Sequence, residues 1–276
     1  MKTILVPIDF SATATNASNY ALALAKQYGI NRIVLYNAYQ APVSVDPMVP
    51  TVQLLDIDLM KKSSQEGLTQ AKKALEQLSS NGIQIDTFSE YNILTGGINE
   101  LCAAVSADLV VIGITGGGAV TETLIGSNAV SVSQHSKLPV IIVPPNAVFK
   151  KINKLVLACD FEQVEETTPI KPLSQLLEIT GAELHVLHVN TPSNKVIDHS
   201  FENMILDRML KGFSPTYHFI ENESFTVGIN LFAEKNDIDL IITMPKKHGF
   251  FDSLFKRSHT KKLAFHSYLP LMVMHD

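Results

Sequence analysis

The 276-residue chain lacks several features that mark particular classes of protein. It has two cysteines, Cys102 and Cys159, and neither has the spacing of a disulfide framework or a metal site. Both lie in apolar stretches, so we expect buried thiols in a reducing compartment. Charged residues make up 18% of the chain and the net charge is −5, which argues against a general binder of nucleic acid or of anionic membranes.

Long hydrophobic runs are also missing. No apolar stretch approaches the roughly 20 residues that a membrane-spanning helix needs. No leader is evident, because Lys2 is followed at once by a short apolar run that Pro7 and Asp9 interrupt. Apolar residues nevertheless make up 46% of the chain, which is typical of a packed globular protein. We therefore expect a cytoplasmic protein with no membrane partner and no nucleic-acid partner.

The chain contains an internal repeat. Residues 2–10 reappear as residues 153–161, both ending in Asp-Phe, at a shift of 151 positions. Towards the end of each copy, His135-Ser-Lys-Leu-Pro139 matches His266-Ser-Tyr-Leu-Pro270 at a shift of 131 positions. Two constant shifts that differ by 20 positions indicate one deletion in the second copy, and collinear matches of this kind are typical of a duplicated unit. We expect two domains, residues 1–146 and 147–276, with the boundary after Pro144-Pro145-Asn146.

Each copy alternates β-branched apolar runs with helical patterns, which predicts βαβ units and a mainly parallel sheet. In the first copy the strands are expected near residues 3–8, 32–38, 83–90, 108–113 and 139–143. The first helix should begin at the N-cap Ser11 and stop at Gly29, a second should cover about 57–80, a third should follow Thr95-Gly96-Gly97, and a fourth should fill about 122–136. Strands one to four are apolar at their centres, which favours burial on both faces. The fold class is therefore α/β, with two tandem doubly wound units of five strands in the order 3-2-1-4-5.

Candidate binding residues follow the first and fourth strands of the first copy. In such sheets, ligands bind outside the carboxyl ends of the strands, near the point where strand order reverses. Gly113 and Gly116 come after the fourth strand, and Gly126-Ser127 stands ten residues further on. Glycines allow backbone N–H groups to approach an anion, and a helix N-terminus adds a favourable dipole. Asp9 is an acceptor for ribose hydroxyls or for an adenine amino group. The alternative is that the glycines only make tight turns and that Asp9 only caps the first helix.

The spacing Gly113-x2-Gly116-x9-Gly126-Ser127 resembles the ATP-binding motif of the universal stress proteins, G-x2-G-x9-G-(S/T). The opening residues 6–11 and the closing residues 138–144 also resemble that family, and the likeness covers both halves as a tandem universal stress protein. The resemblance implies an adenine nucleotide, ATP or ADP or AMP; Mg²⁺ and the other copy are both open as sources of positive charge for its phosphates. The residues that it places around the nucleotide are Pro7, Asp9 and Ala38 at adenine and ribose, and Ile112, Gly113, Gly116, Gly126, Ser127 and Asn128 at ribose and phosphates. The loop departs from expectation in having no Lys or Arg between residues 113 and 128.

The second copy has changed this loop. Its equivalent positions are Met244, Lys247, Arg257 and Ser258, so three glycines are lost and their side chains should fill the space left open for phosphate. Residues 246–262 carry six positive charges in an otherwise acidic protein. One interpretation is an anion-binding site at Lys247, Arg257 and Ser258, and the other is a solvated helix face.

Other candidate sites have weaker support. His135 and His266 have no neighbouring ligand at metal spacing, so we expect structural roles and no metal site. No nucleophile–histidine–acid arrangement falls at the strand ends, and no catalytic residue is assigned. Residues 40–56 are predicted to be a long Pro-containing loop, for which a lid and simple disorder are both open interpretations.

Three functions follow as hypotheses. The first is a nucleotide-binding stress-response sensor or regulator, at most a weak ATPase, because the chain has neither a Walker lysine nor an evident general base. The second is a hydrolase-like enzyme acting on an activated phosphate, and the third is a nucleotide-independent module that binds an unknown protein partner. The resemblance further implies that the two copies pair through their fifth strands, and further assembly into a homodimer is left open.

Overall fold

The computed structural model describes residues 1–40, 57–79, 82–114, 127–192, 200–244 and 269–275. Within these ranges it contains ten strands in one sheet, ordered β3-β2-β1-β4-β5-β10-β9-β6-β7-β8. The first unit comprises β1 (Thr3–Pro7), α1 (Ala12–Tyr28), β2 (Arg32–Tyr39), α2 (Ile57–Leu78), β3 (Gln84–Tyr91), α3 (Leu94–Ala104), β4 (Leu109–Gly113), α4 (Ser127–His135) and β5 (Val140–Val143). The second comprises β6 (Lys154–Ala158), α5 (Val164–Thr167), α6 (Ile170–Thr180), β7 (Glu183–Asn190), α7 (Ser200–Met209), β8 (Thr216–Glu221), α8 (Phe225–Lys235), β9 (Leu240–Thr243) and β10 (Leu271–Val273).

The predicted fold class is confirmed. Each unit has the strand order 3-2-1-4-5, and every strand pair inside a unit is parallel. The two units join through β5 and β10, which pair antiparallel with Met272 opposite Ile141. Both strands are wholly buried and apolar. Joining them removes two sheet edges that would otherwise expose unpaired backbone groups.

The ends of α1 follow directly from the local sequence. The Ser11 side chain accepts a hydrogen bond from the backbone N–H of Ala14 at 3.2 Å, so Ser11 is the N-cap that the sequence predicts. Gly29 adopts the left-handed conformation with φ 67° and ends the helix. The face between these ends is rich in alanine and buries Ala14, Ala17, Ala21 and Ala25 against the sheet.

Two expectations about β3 and α3 are wrong. β3 is the outermost strand, so most of its residues are exposed or partly exposed and it lacks a two-sided apolar core. α3 begins at Leu94, so Gly96 and Gly97 lie inside its first turn and do not precede it. A Cβ on Gly97 would lie 2.6 Å from Oε2 of Glu90, and this close packing explains a glycine in a helix.

The sheet separates two buried clusters. One lies under α1, α2, α5, α6 and α7, and the other lies under α3, α4 and α8. Alternate residues of each strand enter alternate clusters: Leu35 belongs to the first and Tyr36 to the second. Both cysteines are buried, as expected, and burial raises the pKa of the Cys102 thiol to about 11.

The two copies repeat an aspartate–backbone contact as well as their strands. Asp108 Oδ2 accepts from the backbone N–H groups of Lys2 and Thr3, at 2.6 and 3.1 Å. In the second unit Asp239 Oδ2 accepts from those of Asn153 and Lys154, at 2.8 and 3.0 Å. Each aspartate therefore ties the start of the central strand to the start of its neighbour. These contacts give the two aspartates a structural role.

The segment between β5 and β6 lies on α1. The amide of Asn16 donates to the carbonyl oxygens of Pro144 and Ala147, at 3.1 and 3.0 Å. Near the end of α1, the Tyr28 hydroxyl accepts from the backbone N–H of Ile152 at 3.0 Å. Because hydrogen bonds from α1 hold this segment at both ends, the segment that leads into the second unit is fixed on a helix of the first.

Candidate functional site

The pairing of β1 with β4 stops before either strand ends, and we call the position beyond the last pair, at the carboxyl end of the first unit, the crevice. β1 pairs with β4 only as far as Leu5 opposite Val110. It stays paired with β2 as far as Pro7, and β4 stays paired with β5 as far as Gly113. Strand order reverses between β1 and β4, and this is the position where open α/β sheets bind ligands.

Asp9 lies at the mouth of this crevice, directly after β1. Its Oδ1 accepts from the backbone N–H of Ser11 at 3.0 Å, and the residue is exposed. Ser11 and not Asp9 caps α1, so the alternative interpretation of Asp9 as the helix cap is wrong. The carboxylate instead sets the turn between strand and helix, and among the described residues its Oδ2 makes no hydrogen bond.

Phe10 is a feature of this turn that the sequence analysis did not single out. Its φ of 65° places an aromatic residue in the left-handed region, which is uncommon for a bulky side chain. Its ring packs on α2 at Gly67, where a Cβ would lie 2.6 Å from the ring. Phe161 at the equivalent position of the second unit has φ 55°. The Asp-Phe pair that closes both central strands was the available signal, and it marks a strained turn in both copies.

Gly113 faces the first turn of α1. A Cβ there would lie 2.7 Å from the carbonyl carbon of Thr13 and closer still to its oxygen, so only glycine lets the helix start at this position. The glycine is therefore required by packing against α1, which is a different reason from the tight turn considered in the sequence analysis. Its consequence for the site is that the N-terminus of α1 is brought to the edge of the crevice.

Pro7, Ala38 and Ile112 line the other side of the sheet. Ile112 belongs to the buried cluster under α3 and α4, and Ala38 packs against the same cluster. Leu5 is in that cluster too, and the two-residue period of a strand puts Pro7 on its face. Three of the sequence-predicted residues thus form an apolar floor beside the crevice.

The remaining residues of the motif are less completely described. Ser127 begins α4, and Asn128 is exposed in its first turn. Gly116 and Gly126 lie outside the described residues, as does the 40–56 loop from residue 41 onwards. The start of α4 follows the glycine segment in sequence, which supplies the dipole of a helix N-terminus.

The second unit differs at each of these points. Met244, which stands where the first unit has Gly113, is buried in the cluster under α5, α6 and α7. Its side chain therefore fills space under these helices. The expectation that it would occupy the space left open for phosphate is wrong. A first helix cannot lie over it as α1 lies over Gly113, and here that helix is divided into the single turn α5 and the later α6. The ladder between β6 and β9 also runs one pair further than that of the first unit, to Leu157 opposite Ile242.

The other predicted residues are either outside the described part of the chain or bonded within their own helix. Lys247, Arg257, Ser258 and His266 lie outside the described residues. The His135 ring nitrogen Nδ1 lies 2.8 Å from the carbonyl oxygen of Ser131, one turn earlier in α4. In the part of the chain that the structure describes, no three His, Cys, Asp or Glu side chains are grouped as a metal site would require. No helix in that part is long and apolar enough to span a membrane.

Comparison with known proteins identifies the family. The model of the universal stress protein family matches residues 1–144. Universal stress protein MJ0531 of Methanocaldococcus jannaschii is 29% identical over 142 residues, which cover 51% of this chain and 81% of that protein. Universal stress protein G of Salmonella typhimurium is 28% identical over 144 residues, which cover 51% of this chain and 98% of that protein.

A structural likeness extends over both units. The crystal structure of a universal stress protein from Archaeoglobus fulgidus matches 99% of this chain and 96% of its own, with a TM-score of 0.67 and 19% identity. At that identity the likeness shows the shared fold alone. The family model, in contrast, spans just over half of the sequence and includes β1, β4 and the glycine motif. The chain belongs to the universal stress protein family.

Proposed function

We propose that the first unit binds one adenine nucleotide, ATP or ADP or AMP, in the crevice between β1 and β4. The observation that carries the proposal is the early end of the β1–β4 ladder at Leu5 and Val110, three residues before β4 itself ends at Gly113. It opens the sheet at its switch point, where two helix N-termini and the glycine motif follow. On this basis the protein is a stress-response sensor or regulator whose conformation or partner binding responds to nucleotide.

The crevice supplies the contacts that an adenine nucleotide needs. Pro7, Ala38 and Ile112 offer an apolar surface for the base, and Asp9 offers carboxylate oxygens for hydroxyl or amino donors. The glycine segment and the first turn of α4, with Asn128, would hold the phosphates through backbone N–H groups. No group of acidic side chains suited to a metal is found among the described residues. Mg²⁺ would therefore be bound chiefly through the phosphates.

Slow or absent hydrolysis is part of the same proposal. A nucleotide hydrolase needs a group that orients or deprotonates the attacking water and a cation that stabilises the developing charge. In the described part of the crevice, the group that could act on water is the Asp9 carboxylate. One of its oxygens already accepts a hydrogen bond from the Ser11 N–H. No lysine or arginine occurs between residues 113 and 128. We infer that nucleotide occupancy, and not turnover, is the signal.

The proposal includes one site in each chain. In the second unit a buried Met244 stands in place of Gly113, the first helix is divided, and β6 and β9 stay paired for one residue pair more. The division into domains at residues 146 and 147 stays a prediction, as do the cytoplasmic location, the protein partner and a homodimer. The anion-binding interpretation of Lys247, Arg257 and Ser258 also stays a prediction.

The repeat provides a matched pair of variants for a binding test. Asp9 and Asp160 hold equivalent turns, with Oδ1 accepting from the N–H of Ser11 at 3.0 Å and of Glu162 at 3.1 Å. We expect Asp9→Ala to weaken ATP binding about tenfold or more in isothermal titration calorimetry, which corresponds to the loss of one charged hydrogen bond. Asp160→Ala should leave ATP affinity unchanged at a stoichiometry of one nucleotide per chain. Equal losses in both variants, or no binding of ATP at millimolar concentration by the wild type, would refute the proposed site.

A further inference from the structure

A part-buried hydroxyl–carboxylate pair lies on the same face as the apolar floor. The Tyr36 hydroxyl donates to Oε2 of Glu90 at 2.6 Å, and this bond joins β2 to the edge strand β3. Tyr36 is fully buried, whereas Glu90 is partly exposed. The bond is short and charge-assisted, so it holds the carboxylate in one orientation.

Glu90 stands next to the residue at the base end of the crevice. In the parallel register of β2 and β3, Glu90 pairs with Ala38. Tyr36 and Ala38 pack in the cluster under α3 and α4, and the bond to Tyr36 puts the Glu90 carboxylate on that face as well. Neighbouring strands are about 5 Å apart, which a glutamate side chain spans with ease. The carboxylate is therefore adjacent to the floor on which the proposed base would lie.

Electrostatics assign the proton in this pair. Burial raises the pKa of Tyr36 well above its usual value of 10, and the hydrogen bond to Glu90 raises it further. The hydroxyl consequently stays protonated and always acts as the donor. One oxygen of Glu90 is thus occupied, and among the described residues Oε1 has no hydrogen-bond partner. That oxygen is an acceptor held in place for a donor from outside the protein.

The second unit shows that packing alone does not require this pair. Its residues at the positions of Tyr36, Ala38 and Glu90 are Leu187, Val189 and Ile220. All three are apolar and pack in the same cluster. Both units also place a glycine in the first turn of the next helix, so the helix docks closely in either case. The polar pair is present in the unit with the proposed nucleotide site and absent from the unit without it.

We propose that Glu90 is a base-recognition residue, which accepts a hydrogen bond from the exocyclic amino group of adenine, and that Tyr36 is its positioning residue. This inference rests on the proposed nucleotide site. A carboxylate oxygen facing the amino position attracts the N–H donor of adenine. A base without that amino group leaves the oxygen desolvated and unpaired, and this difference discriminates between ligands.

The second unit also supplies a replacement that should fold. The double variant Tyr36→Leu with Glu90→Ile installs the apolar pair that the second unit already accommodates. We would measure its affinity for ATP and for purine riboside triphosphate, which lacks only the exocyclic amino group. In the wild type we expect ATP to bind about tenfold or more tightly than the analogue. The double variant should bind the two ligands equally, through weaker ATP binding with unchanged analogue binding.

Further variants separate base recognition from a structural role. Glu90→Gln keeps the shape and should also reduce the preference for ATP, because its amide can present N–H groups to the ligand. Glu221→Gln, an equivalent charge removal at the end of β8, should leave the preference unchanged. A wild type that binds ATP without preferring it to the analogue overturns the inference and leaves the nucleotide site standing. So does an equal loss for both ligands in the double variant. A wild type that binds neither ligand removes both proposals.

Discussion

Gly113→Ala is the change that tests most directly how α1 is seated at the crevice. The added methyl group would lie 2.7 Å from the Thr13 carbonyl carbon, whereas ordinary contact begins at 3.4 Å. The obstacle is backbone, so no side-chain rotation relieves it. The first turn of α1 must withdraw by at least about 0.7 Å, the difference between these two distances, because the Thr13 oxygen is nearer still.

The size of the effect follows from this displacement. Forcing an extra carbon into a packed core costs about 1–3 kcal/mol. The withdrawn turn also carries the cap, in which the Ala14 N–H donates to the Ser11 hydroxyl at 3.2 Å. Weakening that cap adds up to about 1 kcal/mol. We expect a loss of about 2–3 kcal/mol of stability, which lowers the unfolding midpoint of a domain of this size by about 4–10 °C.

Thermal unfolding followed by circular dichroism measures this loss, and Gly96→Ala is its control. A Cβ on Gly96 would meet only side-chain atoms of Asn92 and Ile93, at 3.0 Å, and these can move. Gly96 also lies in a helix, where alanine is favoured over glycine by about 1 kcal/mol. Its midpoint should therefore stay within about 2 °C of the wild type. If Gly113→Ala is as stable as the wild type, the close seating of α1 is refuted.

Two further predictions concern the second unit and the connecting segment. The pKa values of His185 and His218, whose rings are hydrogen-bonded at 3.0 Å, are lowered chiefly by burial. Neutral rings are thus favoured in the folded state, so stability should be level above the ordinary pKa of 6.5 and fall below it. The unfolding midpoint between about pH 8 and about pH 5 should show this fall, and His185→Val should reduce it. Asn16→Ala removes the bonds to Pro144 and Ala147, and we expect about 1–2 kcal/mol less stability and faster proteolysis of the connecting segment; an unchanged cleavage rate would contradict this role of Asn16.

Local patterns explain why much of the fold was predictable. The N-cap Ser11 and the terminating Gly29 are each recognisable from the residues next to them in the sequence, and the structure has both. The exposed β3 was not predictable, because an edge position depends on where the strand is placed in the sheet. Gly96 and Gly97 were misassigned for a similar reason. Glycine is unfavourable inside helices, and here the close docking of α3 overrides that preference.

The candidate site shows the same division. Asp9 and Gly113 were identified from motif spacing, yet the sequence did not indicate that Gly113 seats a helix. The Tyr36–Glu90 pair was missed, because 54 residues separate its members and only the β2–β3 register joins them. The available signal was the change from polar to apolar residues at the equivalent positions of the second copy.

The sequence by itself determined the duplication, the type and order of the elements, and the loss of the glycine motif from the second copy. These properties depend on residues that are adjacent or evenly spaced in the sequence, so hydrophobic periodicity and turn residues are enough to predict them. The tertiary structure alone decided that the pairing of β1 with β4 ends at Leu5, that Met244 packs under α5, α6 and α7, and which residues share a face with Ala38. Such facts depend on register and on helix docking between segments far apart in the chain, where a displacement of less than 1 Å decides which side chain fits.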